Sequence, residues 1–529
     1  MAASTLSPPE VPMELHAHNR DKLLRALRDH LAASSRPTRG FVLLQGGEEQ
    51  TRYCTDHAEL FRFLPSFAPS GICGSTVVFF YGFWLIDLFV SMAAIPDVAS
   101  GKSFLFVPRL PADYAVWLGE IKPLSFFKER YMVDLVFYVD ELVVVLHDHS
   151  SEPGKPLLFL LYGLNTDSNN FSKPAAIEEI NKFDTDLSTL HPILTECRVI
   201  KSKMELDLIQ YANDVSSEAH IEVMRRIRSG MKEYQLESIF LHHIYMYGGC
   251  RHCSYTCICA TGENSAVLHY GHAAAPNDRV NGKFTKDQIV IYNAVLAAHN
   301  AVLQSMRPGV CWIDMHELAE KTILKSLKNE GIVIGDIDKM MERRLGAVFM
   351  PHGLGHFLGI DTHDPGGYAQ GLERPKEPGL KALRTIRELK ESMMFPRYEA
   401  LSGVVFNLLI FLVFVPLNEQ QFTFPSTPYT GKVEAMVITV EPGCYFIDAM
   451  LVPAMEDAVT SKFLNKKEIE KYKKFGGVRI ESDVVVTADG CKNLTNCPRE
   501  TWEIEAVMAG APWPLDHARF KSQNGASGA

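Results

Sequence analysis

The sequence predicts an α/β domain followed by an α+β domain. The N-terminal third alternates short strand-like runs with helical patterns, which is typical of α/β domains. The C-terminal half groups long amphipathic helices and then has β-branched runs that contain acidic residues. A length of 529 residues suffices for roughly two to four domains. With 47% hydrophobic and 22% charged residues, the composition excludes bulk disorder, collagen and a coiled-coil rod.

The N-terminal third has one amphipathic helical pattern, at 21–32, and several apolar runs bounded by turn residues. Runs of this kind predict buried strands. The stretch 184–196 is predicted to connect this domain to the next. The predicted strands are 41–47, 103–108, 133–139, 141–146 and 156–163.

Capping boxes mark the predicted starts of three helices in the second domain. The apolar stripe after the first start predicts a long amphipathic helix that ends by Gly230, and the third helix is predicted to stop near Gly331. The boxes pair Ser202 with Glu205, Thr285 with Gln288, and Asp314 with Glu317. The stripe consists of Met204, Leu208, Ala212, Val215, Ala219, Val223 and Ile227. Strands are predicted at 436–440, 478–482 and 484–487.

Net charge and the two termini restrict the partners and the compartment. The chain has 53 basic and 63 acidic residues, a formal charge of −10, whereas a nucleic-acid-binding protein needs a basic surface to neutralise phosphates. A local basic patch is left open. The N-terminus lacks the basic and apolar regions of a secretory signal, and the C-terminus has no lipidation motif. We therefore expect a cytoplasmic protein without nucleic-acid or membrane partners.

Two uncharged stretches, 63–86 and 400–417, approach the roughly 18–20 apolar residues that a membrane span needs. The first contains Pro65 and Pro69 and has no basic flank, and the second is followed by a polar, proline-bearing run. Two interpretations stay open: transmembrane helices, and buried strands or surface insertions. We expect the second.

Four of the eleven cysteines fall close together: Cys250, Cys253, Cys257 and Cys259. Such a group can bind zinc, but no second Cys or His pair follows at ligand spacing. Cys257 and Cys259 also alternate as on one face of a strand. Because free cysteine packs as a small hydrophobic residue, we expect buried or partly buried thiols.

The stretch 349–364 combines three histidines, His352, His356 and His363, with three glycines. Glycine lets the backbone approach a ligand or another segment closely. The glycine spacing does not fit a dinucleotide-binding fingerprint, and glycines this dense argue against a helical pair of metal ligands. The histidines are therefore predicted to form a functional site in a loop.

Two glutamates, Glu441 and Glu481, lie in β-rich runs that should be buried. A buried carboxylate is costly unless it is paired or binds a metal ion. One histidine and two glutamates from separate segments offer nitrogen and oxygen ligands to a divalent ion. The sequence thus predicts a metal site that joins the loop to these strands.

Five segments carry a family resemblance: ENSAVLHYGHAAAPNDR (263–279), HGLGHFLGIDTHD (352–364), EPGLKALRTIR (377–387), TVEPGCYF (439–446) and GGVRIESDVVVT (476–487). Together they resemble the Xaa-Pro dipeptidases, or prolidases, a branch of the pita-bread metallopeptidases of creatinase/aminopeptidase type. Weaker similarity extends the resemblance over most of 12–511. It implies an aminopeptidase P/prolidase-type α/β domain at 12–190, a pita-bread catalytic domain at 195–511, and a disordered tail at 512–529.

The resemblance also implies a pair of metal ions, manganese or a related divalent ion, held by two Asp, one His and two Glu. Carried over residue by residue, His356 matches the histidine ligand, and Glu441 and Glu481 match the glutamates. Glu441 is at the same time expected to act in catalysis, as ligand or proton shuttle. The resemblance further implies a homodimer.

The substrate-binding residues of the family also have matches in this chain. Three of them, expected to grip the substrate or stabilise its developing charge, are His269, His363 and Arg384. Three further positions that line the pocket are Tyr255, His352 and Arg479. Catalytic roles are implied for His269 and His363, and Arg384 is expected to clamp the carboxylate of a C-terminal proline, which restricts substrates to Xaa-Pro dipeptides.

The two aspartate ligands have no match. In the family the segment at 263–279 continues into a β-hairpin that bears both, whereas here Arg279 and Val280 run directly into Asn281. Asp278 and Asp287 lie nearby without the required strand context. Residues 394–435 interrupt one family segment and 63–99 replace most of another. A skipped exon with retained or misjoined intron sequence accounts for these departures, and genuine insertions are the alternative.

We therefore expect a manganese-dependent dipeptidase that, as written, binds one metal ion or none and is nearly inactive. Three alternatives stay open. The first alternative is a catalytically inactive prolidase-like binding protein or a mis-spliced product. The second is an aminopeptidase P that acts on longer peptides, and the third is a membrane protein.

Overall fold

The computed structural model describes residues 8–45, 93–150, 154–166, 169–250, 253, 255–271, 278–280, 283–369, 371–390 and 435–515. The two uncharged stretches at 63–86 and 400–417 lie outside these residues, and so does almost all of the predicted departures at 63–99 and 394–435. Residues 512–515 are described, and they pack on the domain. The Trp513 indole donates to Asn496 O at 3.2 Å and Leu515 is buried, so the predicted disordered tail starts too early.

The N-terminal domain is built on a six-stranded mixed sheet in the order β4-β3-β2-β1-β5-β8. The pairs β1–β2 and β2–β3 are antiparallel, and the other three pairs are parallel. β6 and β7 form a separate two-stranded ribbon. The strands are β1 (Phe41–Gln45), β2 (Ala93–Pro96), β3 (Ser103–Val107), β4 (Leu135–Tyr138), β5 (Leu157–Leu160), β6 (Leu164–Asn165), β7 (Asn170–Phe171) and β8 (Asp184–Asp186).

Helices cover both faces of this sheet. Side chains alternate along a strand, so Val42 of β1 packs with Leu27 on one face while Leu43 packs with Leu146 on the other. Its first four residues, 41–44, are accordingly all apolar and buried, as is usual for a strand buried on both faces. The helices are α1 (Glu14–Ala33), α2 (Ala115–Leu118), α3 (Leu124–Tyr131), α4 (Leu142–Asp148) and α5 (Leu190–Val199).

Two predictions for this domain are wrong. The run 141–146 is not a strand but the start of α4. Glu141 Oε2 accepts the Tyr138 amide at 2.8 Å, and Leu142 and Leu146 are buried one helical turn apart while Val144 is exposed. The stretch 184–196 is not a free connection, because it contains β8 of the sheet and most of α5.

The C-terminal domain has an antiparallel four-stranded sheet in the order β14-β13-β10-β9, and a two-stranded sheet of β11 and β12. Its strands are β9 (Ile200–Lys201), β10 (Ala435–Val440), β11 (Gly443–Tyr445), β12 (Gly477–Arg479), β13 (Ser482–Thr487) and β14 (Gly490–Asn493). Its helices are α6 (Lys203–Arg226), α7 (Glu233–Met246), α8 (Lys286–Ser305), α9 (Trp312–Asn329), α10 (Ile337–Glu342), α11 (Gly346–Phe349), α12 (Asp448–Glu456), α13 (Lys466–Tyr472) and α14 (Thr501–Met508). Short 3₁₀ helices occur in both domains. Those of the N-terminal domain are Ala112–Tyr114, Val139–Glu141 and Ile180–Lys182, and those of the C-terminal domain are Gly262–Ala266, Leu380–Ala382, Thr460–Phe463 and Lys473–Phe475.

Two of the three predicted capping boxes are confirmed. Ser202 N donates to Glu205 Oε2 at 2.7 Å, and Thr285 N donates to Gln288 Oε1 at 2.9 Å. The third is wrong, because α9 begins two residues before Asp314, at a point set by the rest of the fold. Trp312 is fully buried, and its amide donates to the backbone of the 386–389 segment.

The other helix and strand predictions hold with shifted ends. α6 stops before Ile227, one turn earlier than Gly230. The predicted strand 478–482 is broken at 480–481 into β12 and β13. Cys257 and Cys259 do not lie in a strand. Cys250 is buried and the other three thiols are partly buried, as expected.

A single large hydrophobic core lies beneath the C-terminal sheet. This core joins α8, α9 and α11 to β10 and β13. Its residues include Trp312, Phe349, Met436 and Ile438. Within the residues described, no helix combines the length and the apolar character needed to cross a membrane.

Candidate metal centre and substrate pocket

Two antiparallel chain segments are each interrupted at one point, and a glutamate lies at each interruption. Glu441 lies between β10 and β11, and Glu481 lies between β12 and β13. Because Val440 pairs with Ser482, the two breaks face each other. The antiparallel register therefore brings together two carboxylates that are distant in the sequence.

The segment that contains His356 pairs with the same edge of β10 as β9 does, but further along the strand. Thr439 N donates to His356 O at 2.9 Å, and Glu441 N donates to Leu354 O at 2.8 Å. Only a glycine fits at 355, since a Cβ there would lie 1.9 Å from Thr439 O. The predicted close approach of the glycine-rich loop is confirmed, and it sets His356 beside Glu441.

His356, Glu441 and Glu481 form the one group of three metal-ligand donors found among the described residues, with one donor atom of each within 4.8 Å of the others. His356 Nδ1 donates to Phe357 O at 2.9 Å, so Nε2 is the ring nitrogen that can bind a metal ion. Nε2 lies 3.4 Å from Glu441 Oε1. Two acceptors this close require a proton or a cation between them. The residues present therefore fit a divalent metal ion held by imidazole and carboxylate ligands.

A partly buried arginine and a buried hydroxyl contact Glu441. Arg479 Nη1 lies 3.2 Å from Glu441 Oε2, and the Thr439 hydroxyl donates to Oε1 at 3.2 Å. Burial raises the pKa of Glu441, and the positive charges of Arg479 and Arg384 limit that rise. Burial, and then the charge of Glu441, raise the pKa of Glu481 to about 7. A bound cation would remove this penalty on ionising both carboxylates.

The predicted substrate-binding residues lie around the same group. The His356 and His363 rings pack edge to face, with their centroids 4.4 Å apart. His352 packs edge to face against Tyr445 at 5.4 Å, and Arg479 Nε donates to the Tyr445 hydroxyl at 3.0 Å. These contacts connect both pocket histidines to the metal-ligand group.

The contacts above bring six of the nine predicted site residues together: His352, His356, His363, Glu441, Arg479 and Glu481. Burial lowers the pKa of His352 well below its usual value, and the positive charge of Arg479 lowers it further. The pKa of His352 is also affected by His269, and the pKa of Glu441 by Arg384. The roles of His269 and Arg384 in the pocket stay predictions.

Tyr255 and His269 lie on the segment 255–271, which is anchored by the buried carboxylate of Glu233. Glu233 Oε1 accepts from the Thr261 amide at 2.7 Å and from Asn264 Nδ2 at 3.2 Å. Its Oε2 accepts from the Tyr270 hydroxyl at 2.5 Å and the Asp278 amide at 2.9 Å. Tyr255 is 37% exposed at the start of this segment, and its role in the pocket stays a prediction.

In the described part of the chain, neither Asp278 nor Asp287 belongs to the metal-ligand group. The Asp278 carboxylate accepts from Asn264 at 3.1 Å, and Asp287 is exposed in the first turn of α8. The chain at 278–280 pairs instead with the connection from α6 to α7, where Val280 N donates to Met231 O at 2.9 Å. In the described residues, this region contributes no carboxylate to the centre.

Two family profiles match this architecture. Residues 16–158 match the aminopeptidase P N-terminal domain, and residues 207–281 and 279–396 match metallopeptidase family M24. The Xaa-Pro dipeptidase of Homo sapiens is 45% identical, over 95% of this chain and 94% of that protein. The chain belongs to metallopeptidase family M24.

Two further relatives and one solved structure are similar to this chain. The Xaa-Pro dipeptidase of Rattus norvegicus is 44% identical over 95% of the chain and 94% of its own length. A probable Xaa-Pro aminopeptidase of Talaromyces stipitatus is 30% identical over 80% of the chain and 87% of its own length. The aminopeptidase PepP structure from Pseudomonas aeruginosa superposes with a TM-score of 0.63 at 23% identity, covering 94% of this chain and 98% of that one. The predicted family and the predicted fold class are confirmed.

The M24 match falls into two pieces that meet at residues 279–281, and the second piece ends at residue 396. The first position is where the sequence predicts a missing hairpin, and the second is where it predicts the start of an insertion. Both remain predictions about residues that lie largely outside the described part of the chain.

Sequence reasoning missed several residues that support the centre. Thr439 was detectable, because it lies two residues before Glu441 in a strand and so shares its face. Tyr445 and Glu233 gave no signal of their own, since their partners are distant in sequence. The same holds for a buried ionic cluster behind His363, described below.

Proposed function

We propose that this M24 protein is a metal-dependent dipeptidase that hydrolyses dipeptides with a C-terminal proline. The observation that carries the proposal is the group of His356, Glu441 and Glu481, with Arg479 and His363 in contact with it. Relatives named Xaa-Pro dipeptidase, up to 45% identical over nearly the whole chain, support the substrate class.

His356, Glu441 and Glu481 are the residues that would hold the metal, and manganese is the ion we propose. When bound, divalent ions of this kind supply a water molecule that is deprotonated near neutral pH. Glu441 is held by Thr439 and Arg479 in position to take up the proton of the attacking water. His363 donates a hydrogen bond to the oxyanion that develops at the scissile carbonyl.

Arg384 and His269 are proposed to bind the far end of the substrate. A planar guanidinium binds a carboxylate through two parallel hydrogen bonds. A dipeptide places its terminal carboxylate where Arg384 can reach it, whereas a longer peptide has an amide there. This contact favours dipeptidase activity over aminopeptidase P activity.

A second candidate is a catalytically inactive, prolidase-like binding protein. It is favoured by the centre itself, which has three ligands in the described residues where the family resemblance implies five. One ion or none is then expected per chain, and the loss of two carboxylates leaves too little negative charge for a metal pair.

We predict that the purified 529-residue chain is nearly inactive. The barrier should rise by at least several kcal/mol relative to an intact centre, by the magnitudes of metal-assisted water activation. The test is the manganese content of the purified chain together with hydrolysis of glycyl-proline and of a longer Xaa-Pro peptide. Glycyl-proline turnover at the level of an intact prolidase would contradict the prediction.

The proposed setting is the cytoplasm, with a homodimer as the assembly and no nucleic-acid or membrane partner. The acidic net charge of −10 supports the absence of a nucleic-acid partner. Light scattering of the purified chain, with and without manganese, measures the assembly directly.

A further inference from the structure

The loop that carries His363 is closed by a buried ionic cluster. We use the name linker cluster for Arg198, Lys201, Asp361 and Asp364. Arg198 Nη2 lies 2.7 Å from Asp361 Oδ2 and also binds Asp364 Oδ1. Lys201 Nζ lies 2.9 Å from Asp364 Oδ2. The Asp364, Lys201 and Arg198 side chains are 1%, 3% and 9% exposed, so their contacts with one another are shielded from water, whereas Asp361 is 23% exposed.

The two halves of the linker cluster come from different parts of the fold. Both cations lie on the connection between the domains, Arg198 at the end of α5 and Lys201 in β9. Both carboxylates lie on the loop 359–364, on either side of His363. The cluster therefore connects the domain linker to the loop that presents a pocket histidine.

The loop itself is folded around these carboxylates. Asp364 N donates to Phe357 O at 3.0 Å, and Gly359 N donates to Asp361 O at 3.1 Å. A Cβ at Gly359 would lie 2.4 Å from Asp364 Oδ2, so the carboxylate fills the turn. Lys201 pairs with Ala435 at the start of β10, the strand that leads to Glu441. Lys201 is thus fixed to the strand that precedes Glu441.

The charges in the cluster are held by one another. Burial alone would raise the pKa of Asp364, but Arg198 and Lys201 outweigh it and the pKa is lowered. Buried ion pairs generally add little to stability compared with apolar residues of equal size, whereas removal of one partner is costly. Stability alone therefore gives no reason for two cations and two carboxylates at this place, and the geometry gives one.

We propose that Arg198 and Lys201 are positioning residues for His363. They hold the carboxylates on both sides of it, and so keep its imidazole against His356. The proposal rests on the proposed function only for the catalytic role of His363, and its placement is measurable without turnover.

The test compares Lys201→Met with Lys203→Met in the full chain. Lys203 is the matched control, since it also pairs with an aspartate, Asp207 at 2.7 Å, but is 57% exposed. In protein labelled with ¹³C-histidine, the His363 signal is assigned by its loss in His363→Gln. We expect this signal to move or broaden in Lys201→Met and to stay unchanged in Lys203→Met. Backbone amides of 359–364 should exchange at least tenfold faster in Lys201→Met only.

Lys201→Arg keeps the charge and should recover most of the parent signal. Arg198→Lys is the second variant, because it keeps the buried charge but loses the guanidinium that reaches both carboxylates. It should disturb the His363 signal even if Lys201→Met does not fold. An unchanged His363 signal and unchanged loop exchange, in a Lys201→Met or Arg198→Lys protein with a lowered melting temperature, would overturn the proposal and leave a purely structural cluster.

Activity separates this inference from the proposed function. In a chain restored with the two-aspartate hairpin between Arg279 and Asn281, Lys201→Met should lower kcat for glycyl-proline at least tenfold with less than a twofold change in KM, because His363 acts on the oxyanion. A restored chain that binds two metal ions and hydrolyses no Xaa-Pro dipeptide would refute the proposed function, while the His363 signal of the 529-residue chain would still decide the positioning role.

Discussion

Arg384 extends from a rigid backbone, because its neighbours Leu383 and Thr385 are both buried. In a chain restored with the missing hairpin, Arg384→Ala should cost about 1.5–3 kcal/mol of substrate binding, the range for hydrogen bonds to charged groups. Arg384→Lys should recover only part of it, since lysine keeps the charge without the planar fork. The measurement is kcat/KM for glycyl-proline with each variant.

The control for Arg384 is the glycyl-proline amide, which has no carboxylate. The effect of both substitutions should nearly vanish on this substrate. An equal loss on the acid and the amide would mean that Arg384 supports the fold or the chemistry, and the argument for a dipeptide-length substrate would lose its basis.

His299 makes the stability of the C-terminal domain depend on pH. It is 1% exposed, and burial, helped by Arg499, lowers its pKa from 6.5 to about 4. Above pH 6.5 it is neutral in both states and contributes no pH dependence. Below that, the unfolded chain binds a proton that the folded chain takes up only near pH 4, so stability falls as the pH falls. At pH 5 the loss should be about 2 kcal/mol.

Replacement of this histidine tests the pH dependence directly. His299→Gln should show a smaller drop in melting temperature between pH 7 and pH 5 than the parent, whatever its stability at pH 7. His30→Gln, at an exposed position in α1, should follow the parent. Identical drops in His299→Gln and the parent would refute the assignment.

At the scale of elements, one carboxylate on α7 anchors the segment 255–271 at Thr261, Asn264 and Tyr270. Each oxygen of Glu233 also accepts from one backbone amide, of Thr261 or of Asp278, so Glu233→Gln leaves one of these two amides facing the new amide nitrogen in either orientation. We expect a loss of about 1–3 kcal/mol, the cost of unsatisfied buried groups, and faster exchange of the Thr261 and Asp278 amides. The readouts are the melting temperature and hydrogen exchange. Glu505→Gln, at an exposed position in α14, is the control, and an unchanged melting temperature in Glu233→Gln would contradict the expectation.

Elements whose signals are local were predictable, and elements set by distant contacts were not. The starts of α6 and α8 were correct because a capping box lies within four residues of chain. The start of α9 was wrong because it depends on a bond from Trp312 to Arg387 O. The valine-rich run at 141–146 has the composition of a strand. It is helical because Leu142 and Leu146, one turn apart, are both buried against the sheet.

At the scale of the molecule, restoration of the hairpin should restore function. We predict that insertion of the two-aspartate hairpin between Arg279 and Asn281, with excision of 394–435, raises bound manganese to about two ions per chain, because five ligands then surround the centre. Manganese-dependent glycyl-proline hydrolysis should return with it. Metal analysis and kinetics of parent and restored chain are the measurements. A restored chain that binds two ions and cleaves no Xaa-Pro dipeptide would show that the functional assignment is wrong.

The site as a whole was predictable where short motifs carry it. His356, Glu441 and Glu481 stand in segments whose composition is unusual for a loop or a buried strand, so each could be named from the sequence. The linker cluster could not, because Lys201 and Asp364 are 163 positions apart and an isolated lysine before a helix is usually a surface residue.

The linker cluster has a consequence for how the two domains can be inherited. α5 contacts both domains. Leu190 and Leu194 lie in the N-terminal core, and Arg198 binds the loop 359–364. A chimera with its crossover after Lys201 would pair the native Asp361 and Asp364 with whatever residues the foreign linker supplies. A crossover before Leu190 keeps the cations but sets a native helix against a foreign N-terminal core. No exchange point in this stretch is neutral to both halves, so the two domains are expected to descend together as one unit rather than as interchangeable modules.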